Sequence, residues 1–194
     1  MASLSLERWN VEAAAALDRM EQAHRAIGGS ARGRRYATQQ INQSYLVLLS
    51  SHFQRFCRDL HSEAVDHLLG GIDARIRPIV HGALTTGRKL DQGNPNPGNL
   101  GADFGRLGMS FWPDVNALHR HNPQRQQRLD LMARWRNAIA HQDFAGQAQA
   151  LGGRTEVTLP EVRWFRNACN GLAPYFDRAV LAHIRAVIGP NGGW

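Results

Sequence analysis

The stretch "YATQQINQSYLVLLSSHFQRFCRDLHSEAVDHLL", Tyr36 to Leu69, decides the fold. Ile41, Tyr45, Leu49, Phe53, Phe56, Leu60, Ala64 and Leu68 recur at helical spacing along it. Within it "YLVLL" (Tyr45–Leu49) is apolar on every side, as in a helix at the centre of a bundle. Working outward, "SLERWNVEAAAALDRMEQAHRAI" places Leu6, Trp9, Ala13, Leu17, Met20 and Ile27 on one stripe and stops at Gly28-Gly29. A third helix begins near Pro123, with Asn122 as N-cap. The fourth is announced by "TLPE": Thr158 caps, Pro160 suits the first turn and Glu161 completes a capping box. Its stripe is Val162, Phe165, Ala168 or Cys169, Leu172, Phe176, Val180, Ile184 and Val187. Pro174 predicts a kink, and Gly189-Pro190 an end.

The connections are less regular. A weaker helix from about Asp73 to Leu90 is interrupted by Pro78 and Gly82. "DQGNPNPGNLGADFGRLG" reads as a Gly/Pro/Asn-rich loop. "RLGMSFWPDVNALHRHN" suggests a short extended piece and a short helix, and "GGRTEVTL" a brief strand or a loop. The expected fold is all-α, one bundle over residues 1–194 with four long helices and short ones between.

Composition sets limits. The chain has 194 residues, 43% hydrophobic and 20% charged, enough for one well-buried core. No apolar run approaches the roughly 20 residues of a membrane span. Glu7, Arg8 and Glu12 stand where a signal peptide needs its apolar stretch, so a cytoplasmic location is expected. Cys57 and Cys169 lie in apolar helical patterns and read as reduced, buried thiols. They are too few for a cysteine zinc site, and the His119–His121 pair lacks a clear third ligand. Neither a metal nor a cofactor is expected. The net charge is +7, carried almost wholly by arginine with Lys89 the only lysine, which favours phosphate-bearing partners. No helix-turn-helix pattern, Gly-rich phosphate loop or nucleophile elbow is present.

"RWRNAIAHQDF", Arg134–Phe144, carries the candidate site. At about 100° per residue, Leu131, Met132, Trp135, Ala138 and Ile139 share the core-facing side of its helix. Ala133, Arg136, Asn137, Ala140 and His141 fall on the opposite side. Two alanines there allow another helix to come close, and a second copy would bring two Arg-Asn-His sets together. Histidine moves protons near neutral pH, and arginine holds a phosphate. By spacing alone the trio reads first as a solvated face, or as a histidine set against the helix dipole, and only second as a site.

"RNAIAH" resembles the R-x4–6-H signature of HEPN-domain ribonucleases, in the form with Asn after the Arg. "HFQRFCRDLHSEAVDHL" and "VRWFRNACNGLAPYFDRAV" resemble the RiboL-PSP-HEPN family, and the resemblance spans about Ile41 to Val180. It implies a helical bundle that dimerises through the motif helices. It further implies metal-independent endoribonuclease activity in the dimer cleft, in toxin–antitoxin or phage-defence settings. Arg136 and His141 match the catalytic pair, and Asn137 the polar residue beside the Arg. The partners implied are RNA, a second copy and an antitoxin or defence-system protein. Arg120, Arg125 and Arg128, together with Arg34 and Arg35, are candidate RNA contacts. Trp164, Phe165 and Phe176 read as core. The competing reading is a HEPN-like module that binds RNA, a nucleotide or a protein without turnover.

Overall fold

The computed structural model describes residues 1–28 and 35–194, and among them the fold is all-α with no strand. The central helix is α3, Arg35–Leu68; its Tyr45, Leu46, Leu49, Phe53, Cys57, Leu60 and Ala64 are fully buried. Before it come α1 (Leu4–Arg8), a π-helical turn (Trp9–Ala13) and α2 (Ala14–Gly28), which run on from one another. Ser3 caps α1 by accepting from Leu6 N, and the π-helical turn presents Trp9 edge-on to Phe53 at 5.3 Å. Leu6, Trp9, Ala13 and Leu17 are buried, whereas Ile27 is exposed, so the stripe outruns the core.

Two long helices close the bundle against α3. One is α8, Asn122–His141, and the other α10, Leu159–Ile188. α10 begins with the full capping box, Thr158 and Glu161 bonding reciprocally. It runs through Pro174 without a break and ends at Gly189, whose φ of 100° suits glycine. Every predicted stripe residue of α10 is buried except Val187, which is exposed in the last turn. A polar clamp joins α2, α3 and α10: Tyr45 and Arg163 both donate to Glu21, and Arg166 pairs with Asp18. Both cysteines are free and buried.

The connections depart from expectation in four places. The weak helix divides into α4 (Arg77–Thr85) and α5 (Lys89–Gln92), and Pro78 sits in the first turn of α4 rather than interrupting it. The Gly/Pro/Asn-rich segment is no simple loop: it contains α6, Pro97–Gly105, with Leu100, Asp103 and Phe104 buried. Asn96 starts α6 by accepting from Asn99 N at 2.8 Å, and Pro97 fills the next position. α7 (Phe111–Ala117) is the expected short helix, without an extended piece, and the connection from α9 (Ala148–Leu151) to α10 is irregular with Val157 buried. Asn122 is not a side-chain cap of α8; it is buried, its Nδ2 donating to Val115 O at 2.8 Å. Among the described residues no helix is long and apolar enough to cross a membrane.

Candidate functional site

α8 delivers Arg136, Asn137 and His141 at its C-terminal end. The helix stops there because Gln142 turns left-handed, with φ of 53°. Gln142 Nε2 then donates to Ile139 O at 2.8 Å, satisfying one of the carbonyls that a helix end leaves unpaired. Asp143 N bonds to Ala138 O at 3.0 Å and turns the chain away. As expected, Met132, Trp135, Ala138 and Ile139 face the core.

The opposite face is only partly open. Leu129 and Ala133 are buried on it, so Ala133 admits this chain's own loop, not a second copy. The visitor is Asn94, itself buried, in the link between α5 and α6. Its Nδ2 donates to Ala133 O at 3.2 Å and to Asn137 Oδ1 at 2.9 Å. Asn96 Nδ2 holds Asn94 Oδ1 at 3.0 Å, and Asn99 Nδ2 holds Asn94 O at 2.8 Å. Gly93 makes room for this lattice, because a Cβ there would sit 2.9 Å from Asn99 Nδ2. One turn later the face opens: Arg136 and Asn137 are half-buried, Ala140 and His141 exposed.

Arg136 Nη1 lies 3.4 Å from Asn137 Oδ1, and among the described residues Arg136 has no carboxylate partner. Its neighbour Arg134 is by contrast paired to Asp130 at 2.9 Å. A half-buried guanidinium without an acid beside it keeps its donors for an anion. No hydrogen bond joins Asn137 to His141 among the described residues; Asn137 Oδ1 is instead held by Asn94. On the side of α8 away from the trio's face, Val47, Leu48 and Ser51 of α3 and Ile139 and Gln142 border an open groove of about 410 Å³.

No family model, no curated protein and no solved structure matches the chain.

The candidate RNA-contact arginines separate. Arg120 is exposed. Arg125 is committed within the chain: Nη1 donates to Asn122 Oδ1 at 2.9 Å and Gly171 O at 3.1 Å, and the guanidinium lies over Tyr175. Gly171 permits this, since a Cβ would meet Arg125 Nε at 2.5 Å. Arg128 is stacked on Trp164, 4.3 Å from the ring centre. Trp164, expected in the core, is 39% exposed, because it lies one helical step off the Phe165 stripe. Arg34 lies outside the described residues, as does the Arg35 side chain. His119 Nδ1 accepts from His121 N at 3.2 Å, a local bond, and no metal-ligand cluster of three or more His, Cys, Asp or Glu occurs among the described residues.

The polar residues of α3 do structural work away from the trio. Asp59 pairs with Arg55, and Glu63 accepts from Leu4 N and Ser5 N. His61 is buried against Asp103 O. The residue that sequence reasoning missed is Asn94. Its signal was the repeated Asn-Pro of "NPNP", which reads as loop chemistry until the fold brings it onto α8.

Proposed function

We propose that the protein is a metal-independent endoribonuclease, of the kind the HEPN resemblance implies, acting in a homodimer through the end of α8. The observation that carries it is Arg136: a half-buried cation with no acid partner among the described residues, on one open face with His141. Arg136 binds the scissile phosphate and stabilises the charge that builds on it. His141 takes the proton from the 2′-hydroxyl, whose oxygen attacks phosphorus as the 5′-oxygen leaves. The products are a 2′,3′-cyclic phosphate and a 5′-hydroxyl. The departing oxygen needs a proton donor, and a second copy across a two-fold axis supplies a second His141. Ala140, exposed between Arg136 and His141, leaves room for that approach. An antitoxin or defence-system protein is the proposed regulator, and RNA the substrate.

The test incubates purified protein with a structured RNA in EDTA and identifies the product ends. Cyclic phosphate ends that vanish with His141→Ala support the reading. Intact RNA with the wild-type protein, or undiminished cleavage by that variant, overturns it.

A further inference from the structure

The Arg-Asn-His trio comes from one helix, but the geometry of its middle member is set elsewhere. We infer that Asn94 is a positioning residue, which fixes the Asn137 amide and through it the Arg136 guanidinium.

An asparagine amide can turn over, exchanging its oxygen for its nitrogen. Which way Asn137 faces decides what Arg136 meets. If the oxygen faces Arg136, it accepts; if the nitrogen does, donor faces donor. Asn94 removes the choice, because its Nδ2 can only donate, and the Asn137 atom within 2.9 Å must therefore be oxygen. Asn94 is oriented in turn. Asn96 Nδ2 donates to its Oδ1 at 3.0 Å, so that atom must accept, and Nδ2 is left facing α8. Ala133 O accepts from the same nitrogen at 3.2 Å and confirms the sense. The chain of orientation runs Asn96, Asn94, Asn137, Arg136, each step determined by the one before.

The support is rigid. Asn94 is 4% exposed, and Asn96 is fixed by its role as the cap of α6. At the start of α5, Asp103 of α6 accepts from Lys89 N and Leu90 N at 2.8 Å each. A group held by such a shell keeps the geometry that an ordered transition state needs, and small misplacements cost rate steeply. Asn94 has no route to substrate of its own, since α8 covers it. It acts through Asn137.

This inference rests on the proposed ribonuclease reading for its kinetic arm, but not for its structural one. The kinetic arm is single-turnover RNA cleavage and RNA binding by Asn94→Ala, Asn94→Asp, Asn137→Ala and the double variant Asn94→Ala/Asn137→Ala. Asn94→Ala is expected to slow cleavage roughly tenfold with RNA affinity within about twofold of wild type. The double variant should fall no further than Asn137→Ala alone, because both remove one chain of contacts. Asn94→Asp keeps the shape and the Asn96 bond while losing the donor, so it carries the test should the alanine variant fail to fold. Losses that simply multiply in the double variant, or full cleavage by a folded Asn94 variant, overturn the inference. The structural arm follows the Arg136 Nε–H and Asn137 side-chain amide signals by NMR, without RNA. Broadening or shifts of both in Asn94→Asp support it, and unchanged signals overturn it. Wild-type protein that leaves RNA intact would sink the ribonuclease reading while this arm still decides the role of Asn94.

Discussion

His61 and Arg88 meet in the only way a neutral imidazole allows. His61 Nε2 lies 3.0 Å from Asp103 O, a pure acceptor, so Nε2 carries the proton. Nδ1 is then a lone pair, and Arg88 Nη1 approaches it at 3.4 Å. Burial, with Arg88 and Arg106 nearby, pushes the His61 pKa from 6.5 down to about 4, against the raising influence of Asp103. The unfolded chain therefore takes up this proton at a higher pH than the folded one. Stability from the neutral ring is complete above pH 6.5 and drains away as pH falls toward about 4. The whole window is worth about 3 kcal/mol. Urea unfolding at closely spaced pH values should show this slope in wild type, and His61→Gln, which cannot titrate, should flatten it.

Asp103 also ties α6 to the start of α5 from a buried position, its carboxylate receiving Lys89 N and Leu90 N. Removing it leaves backbone donors unpaired at the start of α5, where Leu90 is fully buried. Asp103→Ala is expected to cost about 3 kcal/mol, and Asp103→Asn less because one acceptor survives. Denaturant midpoints at constant m-value check this. Since α5 leads into Asn94, the alanine variant should also disturb the Asn137 amide signal.

What the sequence makes legible here is whatever depends on local periodicity or local capping. The α3 stripe, the Thr158–Glu161 box and the polar trio on α8 all repeat or bond within a few residues, so they can be read directly. α6 was hidden by composition: glycines and asparagines suggest a loop, yet Asn96-Pro97 is a helix start and Leu100, Phe104 its buried face. The long-range features were out of reach. Asn94 finds Asn137 across 43 residues, and Arg125 finds Gly171 across 46. A basic lead-in to a motif helix looks like a nucleic-acid track until the fold shows which arginines are already engaged. Trp164 beside Phe165 shows the converse, since neighbours on a helix face different ways.

On the proposed ribonuclease reading, Arg136 and His141 are expected to make separable contributions. Arg136→Ala should lower single-turnover cleavage by about a hundredfold or more, because charge on the phosphoryl oxygens loses its partner. Arg136→Lys should recover little, as an ammonium cannot grip two oxygens in the guanidinium's planar fork. His141→Ala should lower the rate by about 10²–10⁴ while leaving RNA affinity nearly intact. Filter binding beside quenched-flow cleavage separates affinity from rate. A large affinity loss in His141→Ala with unchanged rate at saturation would reverse these roles.

Arg120 and Arg125 are five residues apart and are expected to behave oppositely. Arg120 is exposed, so Arg120→Ala should leave unfolding unaltered, weaken RNA binding about equally across sequences and reduce the salt slope by about 1. Arg125 ties α8 to α10 through Gly171 O and covers Tyr175. Arg125→Ala leaves Asn122 Oδ1 and Gly171 O without this donor, and should cost about 1–3 kcal/mol with RNA affinity unchanged. Gly171→Ala tests the same contact from the other side, since its methyl group would displace the guanidinium. If Arg125→Ala instead weakens RNA binding at full stability, the guanidinium leaves its intrachain site to meet the nucleic acid.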